Sequence, residues 1–322
     1  MKDYFEQIII QAINNREQDV YLLPEDKKYL IKVHNGRRLA KLKTLSQEVA
    51  LRLISYLKYI SGMNIAETRR PQLGSTEFEY QGIKYPLRIS TVSDFENRET
   101  VVIRIIYGNS QSASNWLNPS QFSEIEAQIP EHGLVLLVGP TGSGKTSTVH
   151  NLLNKRQENE LILSIEDPVE IRSPNIVQLQ VNEQAGMTYE ELIKVALRHH
   201  PDVLVIGEIR DKKTATATIQ AALSGHLVFA TIHANSAKDA INRMIDLGAD
   251  KNLIKNTLSL SIYQRLIPGI DQKLYSLVDI QDKYDLHNIS FNFQKTWKEN
   301  LKNAFEQKII DSDVLEKYKK IA

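Results

Sequence analysis

No cysteine occurs anywhere in the 322 residues, which excludes disulfides, thiolate metal sites and cysteine nucleophiles together. That absence fits a reducing compartment. Neither sign of charge dominates: 40 Lys and Arg against 39 Asp and Glu leave a formal net charge of +1. Bulk attraction to nucleic acid is not implied, although local patches stay open. No run approaches the roughly 20 apolar residues that cross a bilayer. The opening Met1-Lys2-Asp3-Tyr4-Phe5-Glu6-Gln7 has acids where a secretory signal is basic, and Gln11 and Asn14 break its apolar stretch. A soluble, intracellular protein is expected, with any membrane association made through a partner or a surface. What the chain does have is 42% hydrophobic content, ample for two cores at this length.

The most informative stretch is Gly139-Pro140-Thr141-Gly142-Ser143-Gly144-Lys145-Thr146. It follows the apolar run 134–138 and precedes Ser147 and a segment able to continue as a helix. Strand, glycine-rich turn and helix are what a P-loop requires. The glycines let successive N–H groups face a phosphate, and the helix N-terminus adds partial positive charge. Lys145 can reach the terminal phosphates, and the Thr146 hydroxyl can sit on magnesium. A chance glycine-rich turn is the bland alternative, and the buried-strand context disfavours it. Binding of ATP or GTP is expected.

The first hundred residues read as an α+β module. Tyr4, Phe5, Ile8, Ile9, Ala12 and Ile13 recur at helical spacing over 3–14. Two short β-like runs, 20–23 and 29–33, follow. Thr44, with Gln47 three residues on, predicts a capped helix running to about Ser61, where Gly62 stops it. Residues 76–91 read as a hairpin turned near Gln81-Gly82, and 101–107 as a further strand. The polar, small-residue segment 108–115 is the expected linker. Beyond it, strands at 134–138, 161–165, 203–206 and 227–232 alternate with helices starting near Lys145, Thr188 and Lys212. That alternation predicts a mostly parallel, doubly wound sheet with its ligands at the carboxyl ends of the strands.

Acids stand at two of those ends. Val203–Ile206 runs into Gly207-Glu208-Ile209-Arg210-Asp211, and an acid there suits the holding of magnesium or its water. An isolated Glu at a strand end is ordinarily just solvated; the upstream P-loop favours the functional reading. The second end, Ile165-Glu166-Asp167-Pro168-Val169-Glu170, crowds carboxylates that repel unless cations or donors compensate. A plain Asp-Pro surface turn is the alternative. The strand 227–232 is bracketed by His226 and His233, which could report on a γ-phosphate but lack metal-site spacing.

In this order the blocks Gly139–Thr146, Ile165–Glu170, Val205–Asp211 and Gly225–Asn235 resemble the Walker A, acidic, Walker B and histidine boxes of the secretion and type IV pilus assembly ATPases. The strings Ser61-Gly62-Met63-Asn64-Ile65-Ala66-Glu67, Arg69-Arg70-Pro71-Gln72-Leu73-Gly74 and Arg88-Ile89-Ser90-Thr91 resemble that family's amino-terminal module. The resemblance spans residues 15–280, and the short length is similar to the competence traffic ATPases of Gram-positive bacteria. It implies a RecA-like P-loop ATPase domain at 119–322, a smaller α+β, PAS-like domain at 1–107 and a linker at 108–118.

Site roles carried over by the resemblance are these. Gly139, Pro140, Thr141, Gly142, Ser143, Gly144, Lys145, Thr146 and Ser147 bind nucleotide, with Thr146 on Mg2+. Glu170 polarises the attacking water, Glu208 is the Walker B acid, and Lys145 serves catalysis. Arg88 and Arg104 reach the nucleotide from the amino-terminal module, a use that suits a planar guanidinium. His226 and His233 sense nucleotide or line an interface. ATP and Mg2+ are the implied cofactors, and a homo-hexamer the implied assembly. An integral membrane platform protein of a pilus system is the implied partner, placing the protein in the cytoplasm against the inner face of the membrane.

Departures from the family pattern narrow the reading. The four-cysteine element common in relatives is missing around Tyr263–Ile270, so no zinc site is expected. The loop 92–99 lacks the usual Pro-containing turn. Without a docking domain, the helix at 3–14 is one candidate docking surface, though packing onto its own module is the simpler role. The leading expectation is ATP hydrolysis coupled to assembly of a competence pilus or pseudopilus for DNA uptake. Pilus retraction is the alternative among motors, disfavoured because the Ala-Ile-Arg-Asn-Leu-Ile-Arg-Glu string of retraction enzymes is absent. A nucleic-acid-stimulated motor would use Arg37, Arg38, Lys41 and Lys43; a solvated face explains that cluster better, and direct nucleic-acid binding is not expected.

Overall fold

In the computed structural model, which describes residues 1–34, 39–107, 115–154, 156–271, 273–283 and 294–320, the chain divides into two units, Met1–Gly108 and Asn109–Ala322. Among the described residues no helix is long and apolar enough to cross a membrane.

In the first unit, helix α1 (Lys2–Asn14) buries Phe5, Ile8, Ile9, Ala12 and Ile13 along one stripe. Strands β1 (Asp19–Glu25), β2 (Lys28–His34) and β3 (Leu39–Ser46) lead to helix α2 (Gln47–Ile60), and β4 (Gln72–Tyr80), β5 (Ile83–Ser93) and β6 (Glu99–Ile105) follow. They form one antiparallel sheet in the order β3-β2-β1-β6-β5-β4. Val20, Leu22, Leu87, Ile89, Val101 and Ile103 pack with Phe5, Leu53, Ile54 and Leu57. Both helices therefore cover one face of the sheet, and the alternating residues point to the other. The β4–β5 turn falls at Gln81 (φ 53°) and Gly82 (φ 74°), two left-handed residues as a tight hairpin demands.

Thr44 does not cap a helix. It lies in β3, paired with Leu30, and Ser46 is the cap, its Oγ accepting from the Val49 N–H at 3.4 Å. In β3 only Leu45 is buried, so this edge strand has almost no apolar signature. Behind the sheet, Lys58 is 1% exposed and forms an ion pair with buried Glu99, while its Nζ donates to the Glu67 carbonyl at 2.7 Å. The Gln72 amide donates to the same carbonyl at 2.9 Å and to that of Asn64 at 3.0 Å. Segment 62–71, part of the string that resembles the family module, is thus tied down by polar side chains.

The second unit is built on an eight-stranded sheet. Its elements are β7 (Asn115–Trp116), α3 (Ser120–Gln128), β8 (Gly133–Val138), α4 (Lys145–Leu153), β9 (Ile162–Glu166), β10 (Val177–Gln180), α5 (Tyr189–Arg198), β11 (Val203–Ile206), α6 (Lys212–Leu223), β12 (Leu227–Ile232), α7 (Ala237–Asp246), α8 (Lys251–Thr257), β13 (Leu258–Pro268) and β14 (Leu274–Asp282). Helices α9 (Gln294–Glu306) and α10 (Ser312–Lys319) follow. Strand order is β10-β9-β11-β12-β8-β13-β14-β7, parallel from β10 through β13. Every residue of β8 is buried because helices cover both sides. Leu134, Leu136 and Val138 enter one core with α5, α6 and α7. Val135 and Leu137 enter the other with Val149, Leu152 and Leu153 of α4.

Two parts of this sheet escape the sequence reading. Strand β14 pairs antiparallel to β13 along nine residue pairs, extending the parallel core by a hairpin. Asn115 and Trp116, within the expected linker, pair with β14, and Leu117 is buried. Residues 108–114 of that linker lie outside the described residues, as do Arg37 and Arg38.

Candidate active site

The P-loop is shaped from behind by β13. Gly139 has φ 153°, and a Cβ there would lie 2.4 Å from the Gln264 carbonyl oxygen. Gly144 has φ 87°, and its Cβ would meet the Gln264 amide nitrogen at 3.0 Å. Only glycine fits this close approach. Gly144 begins α4 without a side-chain cap, leaving the N–H groups of the first turn available to an anion. Thr146 and Ser147 are half-buried in that turn, and Ser143 is buried with its hydroxyl unpartnered. Uncapped N–H groups at the start of α4, beside a loop that only glycine can shape, fit a phosphate.

Lys145 is 7% exposed, and its Nζ donates to the carbonyls of Gly139 and Pro140 at 2.9 Å each. Burial pushes this ammonium down to about 8, against the opposing pull of Glu208 and Glu170. Both carboxylates are therefore close enough to act on the P-loop lysine. Beyond β11, the Gly207 N–H donates to the Ile165 carbonyl at 2.8 Å, and its own carbonyl accepts from Thr231 Oγ1 at 2.6 Å. That stitching across β9, β11 and β12 aims Glu208. Its Oε2 accepts from Arg210 Nε at 2.7 Å, and Arg210 Nη1 reaches Asp167 Oδ2 at 3.2 Å.

His233 links the two motifs. Its Nε2 is 3.1 Å from Glu208 Oε1, and its Nδ1 is 3.1 Å from the Gly139 carbonyl. Both ring nitrogens thus face acceptors, one on the P-loop and one on the acid. His226 does not join them. It precedes β12 at the opposite end, its carbonyl accepting from the Gly133 N–H. At ~3.3 Å per residue, the strand separates the two histidines by roughly 20 Å. Of the two histidines, only His233 therefore lies at the P-loop.

Glu170 is exposed on the loop after β9, whereas Glu166 at the end of that strand is 5% exposed. Burial raises the Glu166 carboxyl above the usual range, partly countered by donors from Ser164, Gln178 and the Glu170 N–H. Arg88 and Arg104 belong to the first unit. They stand directly opposite each other on β5 and β6, on the face away from the helices. Arg104 is also held by Asp19, with Nε to Oδ1 at 2.7 Å and Nη2 to Oδ2 at 3.2 Å. The neighbouring carboxylate offsets a like-charge cross-strand pair that would otherwise be unfavourable. Among the described residues no group of three or more His, Cys, Asp or Glu is arranged to hold a metal ion by itself.

The sequence reading missed Gln264 and assigned no role to Arg210 or Gln178. Arg210 could have been flagged, since it lies within the Val205–Asp211 block. Gln264 has no signature, because its contact depends on β13 lying against β8.

A phosphate cradle at the end of a central parallel strand, with an acid at the end of a neighbouring one, places the chain among the RecA-like P-loop ATPases. Known folds agree: the ATPase DotB of Legionella pneumophila superposes with a TM-score of 0.78 at 21% identity, covering 99% of this chain and 96% of that one. The pilus retraction motor PilT with bound ADP gives 0.71 at 22% identity, covering 97% and 96%. At such identities the likeness speaks for the fold.

The family comes from sequence. Residues 1–304 match the model of the Type II/IV secretion system protein family, and the chain belongs to it. It is 39% identical over 269 residues to competence protein ComGA of Streptococcus pneumoniae, covering 84% of this chain and 85% of that protein. ComGA of Bacillus subtilis is 36% identical over 265 residues, covering 81% and 74%. Type II secretion system protein E of Pseudomonas aeruginosa is 35% identical, covering 81% of this chain and 53% of its own length.

Proposed function

We propose that the chain forms a hexameric motor that hydrolyses ATP with Mg2+ to drive assembly of a competence pilus or pseudopilus for DNA uptake. The observation that carries the catalytic reading is the convergence of Lys145, Glu208, Glu170 and His233 on one P-loop. The similarity to ComGA proteins over most of both chains supports the biological one.

The residues divide the work by chemistry. Loop N–H groups from Gly142 to Thr146, with Ser147 following, bind the phosphates, and Lys145 turns from the loop carbonyls to the terminal oxygens. The Thr146 hydroxyl and Glu208 would hold magnesium or its water, and the ion would supply positive charge to the phosphates. Glu170, exposed on the loop after β9, polarises the attacking water. Arg88 and Arg104 bring guanidinium groups to the phosphates, stabilising developing charge. The motor works in the cytoplasm against the inner face of the membrane, on an integral membrane platform protein of the pilus system, without binding nucleic acid itself.

ATPase assays of Lys145→Ala and Glu208→Gln test the chemistry: the first is expected to lose nucleotide binding, the second to bind but not turn over. Normal hydrolysis by Glu208→Gln would refute the assignment. Deletion in the host, with surface pili and DNA uptake scored separately, tests the biology. Loss of both supports assembly, and an excess of fibres would show retraction instead.

A further inference from the structure

Strands β9 and β10 carry an unusual polar group on one face of the parallel sheet. Their register sets Ser164 beside Gln178 and Glu166 beside Gln180. Alternation puts all four on one face, and Ile162, next in that row, packs with α4. Polar side chains at a parallel sheet face are costly unless their hydrogen bonds are used. Here they hold the acidic loop. Glu166 Oε1 accepts from Ser164 Oγ at 2.7 Å and from the Gln178 amide at 3.1 Å, while Oε2 faces the Glu170 N–H at 3.4 Å.

The same row ties down the next residues. Gln178 donates to the Ile171 carbonyl and accepts from the Ser173 N–H, both at 2.9 Å. The Val169 N–H points to Gln180 Oε1 at 3.4 Å. Peptide groups at 169, 170, 171 and 173 are therefore held by strand side chains and not by a β-ladder. We infer that Glu166 is a positioning residue for ATP hydrolysis: it fixes the main chain of Glu170 and so sets where the water-polarising carboxylate stands relative to the P-loop. The inference rests on the role proposed above for Glu170.

The informative variant is Glu166→Gln. Three donors approach two carboxylate oxygens, and an amide offers only one oxygen. Keeping Ser164 and Gln178 on that oxygen turns an NH2 toward the Glu170 N–H, donor against donor. Flipping it restores the Glu170 contact but sets its NH2 against the Gln178 amide, again donor against donor. The expected result is a fall in kcat on the order of 10- to 100-fold, the scale of a small misplacement at a reacting centre. The KM for ATP should stay within about twofold, because the phosphate cradle is untouched. Gln178→Leu, which cuts the ties at 171 and 173, should repeat this pattern and serves if Glu166→Gln does not fold.

Combining Glu166→Gln with Glu170→Gln separates positioning from general damage. If Glu166 acts through Glu170, the double variant is no slower than Glu170→Gln alone. Wild-type turnover in Glu166→Gln, or a double variant slowed by the product of the two single effects, would overturn the inference while leaving Glu170 in place. Wild-type turnover in Glu170→Gln would instead remove the role of Glu170, and this inference would go with it.

Discussion

Raising the pH from 7.5 to 9 tests how the P-loop lysine is held. Burial brings Lys145 down from 10.5 to about 8, so in the empty site the side chain is mostly charged at pH 7.5 and mostly neutral at pH 9. A bound triphosphate favours the ammonium, and binding above pH 8 must then take up a proton. With the bound ammonium held charged throughout, ATP affinity falls about eightfold between pH 7.5 and 9, or about 1.2 kcal/mol. The phosphates themselves contribute little, since their last ionisation lies near pH 6. The stability of the nucleotide-free protein runs the opposite way, rising with pH between 8 and 10.5, because there the unfolded lysine is charged and the buried one is not. Above 10.5 the amine is neutral both folded and unfolded. As pH falls from 10.5 to 8 the unfolded lysine takes up a proton that the buried one resists, so stability is lost over that window, up to about 3 kcal/mol, and the loss is complete below 8. Titration with a fluorescent ATP analogue from pH 7.5 to 9.5 reads the binding term. Lys145→Met should bind weakly and without this slope. A flat wild-type profile, or an equal slope in Lys145→Met, would refute the reasoning.

Two other sites give measurable outcomes. His233→Ala removes contacts of 3.1 Å to both Glu208 and the Gly139 carbonyl, so kcat should fall about tenfold, a figure kept modest because the ring is partly exposed; kcat within twofold of wild type would show that the link is idle. In the first unit, Glu99→Ala strands the Lys58 ammonium at 1% exposure and should cost about 3–5 kcal/mol, whereas Lys58→Met with Glu99→Leu should be near neutral. Chemical denaturation measures both, and a single-variant loss below about 1 kcal/mol would mean that water reaches the pair.

Local chemistry was legible wherever neighbours in sequence are also neighbours in space. The P-loop, the α1 stripe and the Gln81-Gly82 turn each depend on a few consecutive residues, and strands β8, β11 and β12 on continuous apolar runs. Strand β3 was not legible, because an edge strand with one buried residue has no periodic signal. The hairpin of β13 and β14 was missed as a pair, since its register depends on β8 lying alongside.

The same division runs through the site. Nucleotide chemistry and family were written in ordered short motifs, whose backbone conformations and charges are set within a few residues. The settings of the acids were not, for Glu166 and Glu170 differ by four positions yet one is buried in a polar row and the other exposed. Nor were the two histidines distinguishable in the chain. Strand β12 sends them to opposite ends of the sheet, because an extended backbone converts seven positions into a distance no side chain can span.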